Sequence, residues 1–136
     1  MQEGEILWTP STERIERANV TAFSLWLERE RGLAFADYRE LWRWSVTDLE
    51  SFWGALWDYL AVEASAPYAR VLGRRAMPGA EWFPGARLNY AENVLRPERG
   101  GGVALLHASE THPLEPLSWQ ELGRQVRILA TRLRAL

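Results

Sequence analysis

The chain has 136 residues, 47% of them hydrophobic, 25% charged and 12% aromatic, and contains no cysteine; this excludes intrinsic disorder, collagen-like repeats, disulfide-stapled scaffolds, thiolate zinc sites and a cysteine nucleophile. Net charge is −2, against the strong basic excess of a nucleic-acid-binding domain, yet residues 1–68 hold six arginines against twelve carboxylates and residues 69–136 hold ten against six. All sixteen basic residues are arginine, so a Schiff base, a P-loop or an adenylating lysine lies beyond what these residues supply.

The start, Met1-Gln2-Glu3-Gly4-Glu5, is acidic and lacks the basic and apolar regions of a secretory signal. No stretch approaches the ~18 uninterrupted apolar residues of a membrane span, and a soluble cytoplasmic protein is expected. Thr9-Pro10-Ser11 opens a helix, with Thr9 as cap and proline at the first helical position, where its missing N–H has no partner to lose. Helical pattern continues to about Arg31, an interruption near Asn19 being compatible with it; Phe23, Trp26 and Leu27 form its apolar stripe and Gly32 its stop. A short helix is predicted over Ala36–Trp44. Thr47-Asp48-Leu49-Glu50 fits a capping box, and Leu49, Phe52, Trp53, Leu56, Trp57 and Leu60 follow at helical spacing, a stripe so large that something must cover it.

Pro67, Pro78-Gly79 and Pro84-Gly85 break the next stretch into turns, leaving Tyr68–Leu72 as a short strand. Ala86–Leu95 reads as a helix ended by Arg96-Pro97. Gly100-Gly101-Gly102 marks a boundary. Val103–His107 reads as a buried strand and Leu114–Leu117 as a second extended piece. Ser118-Trp119-Gln120-Glu121 forms another capping box, opening a helix with Trp119, Leu122, Val126, Leu129, Leu133 and Leu136 on one face. Fewer than three heptads favours a core-facing helix over a coiled coil. Two short strands and a helix make only the beginning of an α/β layer, so the sequence looks cut rather than finished.

Chemistry-bearing constellations are sparse. Ser109, Glu110 and His112 contain triad residue types, but a triad is defined by geometry, and a polar hairpin loop is the better account. His107 and His112 stand i, i+5 apart, which suits neither one helical face nor one strand face for a metal. The triple glycine matches neither G-x-G-x-x-G nor the P-loop. Trp82-Phe83 between two Pro-Gly turns is either an aromatic platform or, more commonly, a loop packed on helices. The tryptophans of residues 26–57 lie in the acidic half, against a single-stranded nucleic-acid groove.

Three stretches, in order, carry a family resemblance. Phe35-Ala36-Asp37-Tyr38-Arg39-Glu40-Leu41-Trp42-Arg43-Trp44-Ser45-Val46-Thr47-Asp48-Leu49-Glu50-Ser51-Phe52-Trp53 resembles the N-terminal region of acetoacetyl-CoA synthetases (acetoacetate–CoA ligases), which are AMP-forming acyl-CoA synthetases. Glu81-Trp82-Phe83-Pro84-Gly85-Ala86-Arg87-Leu88-Asn89-Tyr90-Ala91-Glu92-Asn93 is similar to the W-F-x-G-x-x-L-N-x-x-x-N signature of acetyl- and acetoacetyl-CoA synthetases, and Leu117-Ser118-Trp119-Gln120-Glu121-Leu122 resembles the segment where the adenylating core begins.

The resemblance covers the chain from about Pro10 to Leu136. It implies activation of a carboxylate by ATP to an acyl-adenylate, then displacement of AMP by the CoA thiol, with ATP, Mg and CoA as the needs of the full-length enzyme and acetoacetate as acyl substrate. The family's phosphate loop, acyl pocket and adenylating lysine lie downstream of these residues. No catalytic, cofactor-binding or metal-ligating residue is therefore carried over onto any position. The implied fold class is α/β overall but mostly α here: a helical N-terminal extension over residues 1–99, then the first strands and helix of the adenylate-forming large domain over 100–136. The implied partner is the remainder of the synthetase, with neither nucleic acid nor membrane. Two alternatives stand beside it: a non-catalytic interaction module docking on a full-length synthetase, and a fragment of an acetate or propionate ligase. Bare strand edges and a bare helix stripe predict self-association of the isolated chain.

Overall fold

The computed structural model describes residues 6–96 and 100–136. The acidic start Met1–Glu5, the Pro97 helix stop and the end of the expected extension at Arg99 lie outside the described residues. Helices come first, followed by a two-stranded sheet and a final helix. The chain forms two compact units: Met1–Val62 with Tyr68–Gly85, and Glu63–Pro67 with Ala86–Leu136.

The first unit begins with α1 (Thr12–Glu16) and α2 (Asn19–Arg31), so the helical stretch is interrupted next to Asn19, where the sequence allowed a break, and its cap is not the expected Thr9. Ser11 is the cap of α1, its hydroxyl accepting from the Arg14 N–H at 3.3 Å, and Ala18 is extended at φ −72°, ψ 139°, which separates the two helices. The Thr21 hydroxyl donates to the Ile15 carbonyl at 2.6 Å, which also accepts from the Ala18 N–H at 3.1 Å, so one acceptor at the end of α1 ties the two helices across the break. α2 ends as predicted at Gly32, left-handed at φ 66°. The Gly32 and Leu33 amides close back onto Glu28 and Leu27, a Schellman-type stop.

α3 (Tyr38–Thr47) starts two residues later than predicted and runs three further. Asp37 accepts from the Glu40 N–H at 2.9 Å, while the Glu40 carboxylate accepts from the Ala36 N–H at 2.9 Å. The capping box expected at Thr47 does not form. Thr47 belongs to α3 and its hydroxyl donates to the Arg43 carbonyl; Asp48 caps α4 (Leu49–Tyr59) by accepting from the Ser51 N–H at 3.2 Å. A carboxylate one residue on accepts at the same helix end and adds favourable charge there, so it wins over the hydroxyl.

The α4 stripe is covered from two sides. Ala55, buried, and Phe52, Leu56 and Tyr59 join Phe23, Leu27 and Leu41 in the core shared with α2 and α3. Phe23 lies 5.0 Å from Tyr59, and Trp44 meets Phe52 edge-on at 5.5 Å. Trp53 and Trp57 take the other side, against residues 68–85. Trp53 contacts Trp82 at 5.4 Å and Trp57 contacts Phe83 at 4.6 Å. Arg31 at the end of α2 pairs with Asp58 near the end of α4.

Residues 68–85 fold back on themselves without the strand predicted for Tyr68–Leu72. Ala69 donates to Pro84, Phe83 to Val71, Gly73 to Glu81 and Glu81 to Arg74, each at 2.8–3.0 Å, but only Leu72 and Trp82 form a regular bridge. Pro84 has no N–H to donate and Phe83 sits at φ 48°, so the ladder cannot become regular.

In the second unit the predicted Ala86–Leu95 helix shrinks to α5 (Tyr90–Val94). Arg87 is taken by Ser65 and Ala66 instead: its carbonyl accepts from the Ser65 N–H at 2.7 Å and its N–H donates to Ala66 at 3.1 Å. β1 (Val103–Ser109) and β2 (His112–Ser118) pair antiparallel, both longer than predicted. The first of them, expected to be buried, is largely exposed, since a two-stranded sheet has too little around it. α6 (Trp119–Arg134) packs on both strands. Ser118 caps it, accepting from the Glu121 N–H at 3.1 Å. The Glu121 carboxylate turns forward rather than back, accepting from Arg124 at 2.6 and 2.7 Å and from Gln125 at 2.8 Å; charge-assisted bonds win over the reciprocal half of the box.

Two outcomes are expected. Leu27 is 0% exposed, so Leu27→Ala destabilises the chain by about 3 kcal/mol in urea unfolding followed by circular dichroism. The Arg124 and Gln125 hydrogen bonds hold the Glu121 carboxyl at about 2, below its ordinary 4.5. A lowered folded-state pKa contributes stability above the ordinary value and loses it as pH falls toward the lowered one. The stability difference between wild type and Glu121→Gln is therefore constant above that range and narrows as pH falls from about 4.5 toward 2, modestly because the pair is exposed to solvent, as acid titrations of the two proteins test.

Candidate functional site

The hairpin tip brings together part of the Ser109, Glu110, His112 set. The Ser109 Oγ lies 3.2 Å from the His112 Nδ1 and the Thr111 Oγ1 2.9 Å from it, with Ser109 and Thr111 3.3 Å apart. The network closes on Thr111 rather than on Glu110, and all four residues are exposed. It is a turn held by hydroxyls, the arrangement expected of a two-residue β-connection, and nothing in it excludes water from a reacting group. His107 is the register partner of Glu115 and His112 that of Ser109, so the two histidines serve separate rungs. Among the described residues no three histidine, aspartate or glutamate side chains converge to hold a metal.

Trp82 and Phe83 are packing residues. Phe83 is half-buried between Trp57 and Tyr68, with ring centroids at 4.6 and 5.2 Å. The left-handed backbone at Phe83 turns its ring inward onto α4 rather than presenting a platform. Of the other tryptophans, Trp26 and Trp44 pack against the helical core. Trp42 is 52% exposed on α3, at the rim of a groove of about 350 Å³ between α2, α3 and α4 whose apolar lining includes Val20, Phe23, Phe52 and Leu60. No charged group stands among its lining residues, so that groove offers mainly apolar contact, with Asn19, Tyr38, Ser45 and Tyr59 as its polar members.

The residue with the most organised role is one that spacing alone did not single out. Asn93, on α5, reaches back thirty residues: its Oδ1 accepts from the Glu63 N–H at 2.9 Å and its Nδ2 donates to the Glu63 carbonyl at 2.9 Å. A side-chain amide thus reproduces a backbone bridge. Asn89 caps the same helix, accepting from the Ala91 N–H at 2.9 Å, and its carbonyl accepts a further bond from the Asn93 Nδ2 at 3.1 Å. The two asparagines of the W-F-x-G-x-x-L-N-x-x-x-N signature are therefore structural. The signal was present in the sequence as an Asn four residues after a capping Asn, but its long-range partner was not.

With this geometry in place, the comparisons become specific. Residues 38–94 match the family model described as acetyl-coenzyme A synthetase N-terminus, a span that ends just beyond Asn93. The chain is 37% identical over 135 residues to an acetoacetyl-coenzyme A synthetase from Rhizobium meliloti, covering 99% of this chain and 21% of that protein. It is 33% identical over 139 residues to a malonamoyl-CoA synthetase from Penicillium aethiopicum, covering 97% and 19%. Among solved structures it resembles an acetoacetyl-CoA synthetase from Streptomyces lividans, with a TM-score of 0.87 and 49% identity over 96% of this chain and 21% of that one. The chain spans about a fifth of the length of these relatives.

Asn93→Ala removes both side-chain bonds to the part-buried Glu63 backbone, a loss of about 2 kcal/mol. Hydrogen exchange at the Glu63 amide is expected to accelerate by more than tenfold, while the amides of α2 and α4 keep their protection.

Proposed function

We propose that this chain, which belongs to the acyl-CoA synthetases as an N-terminal part of the acetoacetyl-CoA synthetase type, is a structural, non-catalytic segment of an AMP-forming ligase. The ligase joins acetoacetate to ATP as an acyl-adenylate, releases pyrophosphate, and lets the CoA thiol displace AMP. In this reading residues 1–99 are a helical extension and residues 100–136 open the large domain. The enzyme works in the cytoplasm, and ATP, Mg and CoA bind to the rest of it.

The observation that carries the proposal is coverage: nearly the whole chain, at 49% identity, aligns with one fifth of a synthetase. Two further facts support it. The 136 residues contain no lysine, so an adenylating lysine belongs to another part of the enzyme. A relative whose name gives malonamoyl rather than acetoacetyl as the acyl group shares this stretch at 33% identity, which favours acyl selection elsewhere. A second reading, a module docking in trans on a synthetase subunit, draws on the exposed leucines of α6.

The purified 136-residue chain, supplied with acetoacetate, ATP and Mg, is expected to give no pyrophosphate exchange above a protein-free blank; exchange above the blank overturns the non-catalytic reading. The DNA beyond the Leu136 codon separates the two readings. A Gly/Thr-rich phosphate loop in any frame supports the segment, and a stop followed by unrelated sequence supports the module.

A further inference from the structure

Two exposed apolar features of the first unit match each other. The chain enters that unit through an arm, Ile6, Leu7 and Trp8, whose residues are 81%, 74% and 67% exposed, although the Arg14 guanidinium lies 5.5 Å over the Trp8 ring. Consecutive large apolar side chains in water gain free energy from any surface that covers them. The second feature is the groove of about 350 Å³ between α2, α3 and α4, with Val20, Phe23, Phe52 and Leu60 in its walls and Trp42 at its rim. A cleft lined by Tyr38, Arg39, Trp42 and Arg43 adjoins it, sharing Tyr38 and Trp42. No carboxylate lines either one, and neither Arg39 nor Arg43 has an ion-pair partner among the described residues.

We infer that the arm of one copy of this chain docks into the α2–α3–α4 groove of a second copy, and that the exchange is reciprocal. Trp8 is the anchor, since an indole carries the most apolar area of the three. Charge supports the pairing: the residues leading into the arm include Glu3 and Glu5, and the cleft beside the groove carries Arg39 and Arg43. The arm does not fill the groove of its own chain, whose walls contain none of its residues. Thr9 precedes Pro10 and is held extended by it, while the Thr21–Ile15 bond ties α1 to α2, so folding the arm back costs contacts that the unit already makes. Each insertion buries on the order of 400 Å² of arm and a like area of groove, and two insertions reach roughly the 1,600 Å² of a standard stable interface. One arm and one groove per copy close a two-fold pair with no groove left open.

The chain lacks cysteine, so introduced thiols report the contact directly. A chain carrying Ile6→Cys is mixed with one carrying Ser45→Cys, a groove residue, and oxidised with copper-phenanthroline. Mixed disulfide pairs, identified by mass, are expected to form roughly tenfold faster than with Ser51→Cys, which lies outside the groove. Trp8→Ala in the arm-bearing chain is expected to reduce the rate to that of Ser51→Cys, with circular dichroism unchanged. Arg39→Glu in the groove-bearing chain is expected to slow linkage several-fold, and Glu5→Arg in the arm-bearing chain to restore it. Equal rates with Ser45→Cys and Ser51→Cys, whether the copies meet through α6 or not at all, overturn the inference. A chain carrying both Ile6→Cys and Ser45→Cys that closes on itself as a monomer makes its own arm the occupant, and this result also overturns it.

Discussion

A helix that is apolar on two sides governs the first unit. α4 carries Phe52, Leu56 and Tyr59 toward α2 and α3, and Trp53 and Trp57 toward residues 68–85. A three-helix arrangement covers only one of those sides, and two indoles left in water forfeit several kcal/mol of burial. The chain meets the second side with a segment that is almost entirely turns. Its backbone is too irregular to be a strand, yet it brings Tyr68, Trp82 and Phe83 onto the indoles. This explains why an aromatic pair sits between two Pro-Gly turns: the turns set the path and the rings supply the adhesion.

Helix periodicity was legible wherever burial is one-sided. The α4 stripe and the Gly32 stop are local facts, and the structure keeps them. Capping was legible to within one or two residues: Ser11 in place of Thr9 and Asp48 in place of Thr47. Neighbouring side chains compete for the same N–H groups, and their ranking depends on backbone geometry that a sequence does not display. The helix predicted over Ala86–Leu95 failed for a different reason. Its first turn is claimed by Ser65 and Ala66 through Arg87, more than twenty residues later in the chain, and pattern reasoning has no access to such a partner. Asn93 is the same case in a side chain. Its value lies in the Glu63 backbone, which no spacing rule connects to it.

The site question divides along the same line. The residue types that first suggested chemistry sit on a solvent-exposed hairpin, where Ser109 and His112 hold the turn and His107 stands on a separate rung opposite Glu115. The absence of lysine, a matter of composition alone, said more about catalysis than any motif did, because an amine that is not in the chain cannot be supplied by folding. Burial divides the same way: the first unit has a core of its own, whereas the second, a hairpin with two helices, holds no buried hydrophobic side chain among the described residues.

Phe83 shows how such a segment constrains its own sequence. At φ 48° its backbone occupies a region that costs an L-residue with a Cβ about 1 kcal/mol relative to glycine, so local preference alone would place glycine there. The ring that forbids ease of backbone is also the one wedged between Trp57 and Tyr68, and glycine would surrender it. The position thus has no substitution that improves both terms at once. Backbone and side chain make opposite demands at this point, and the ring's packing between Trp57 and Tyr68 outweighs the cost of its backbone.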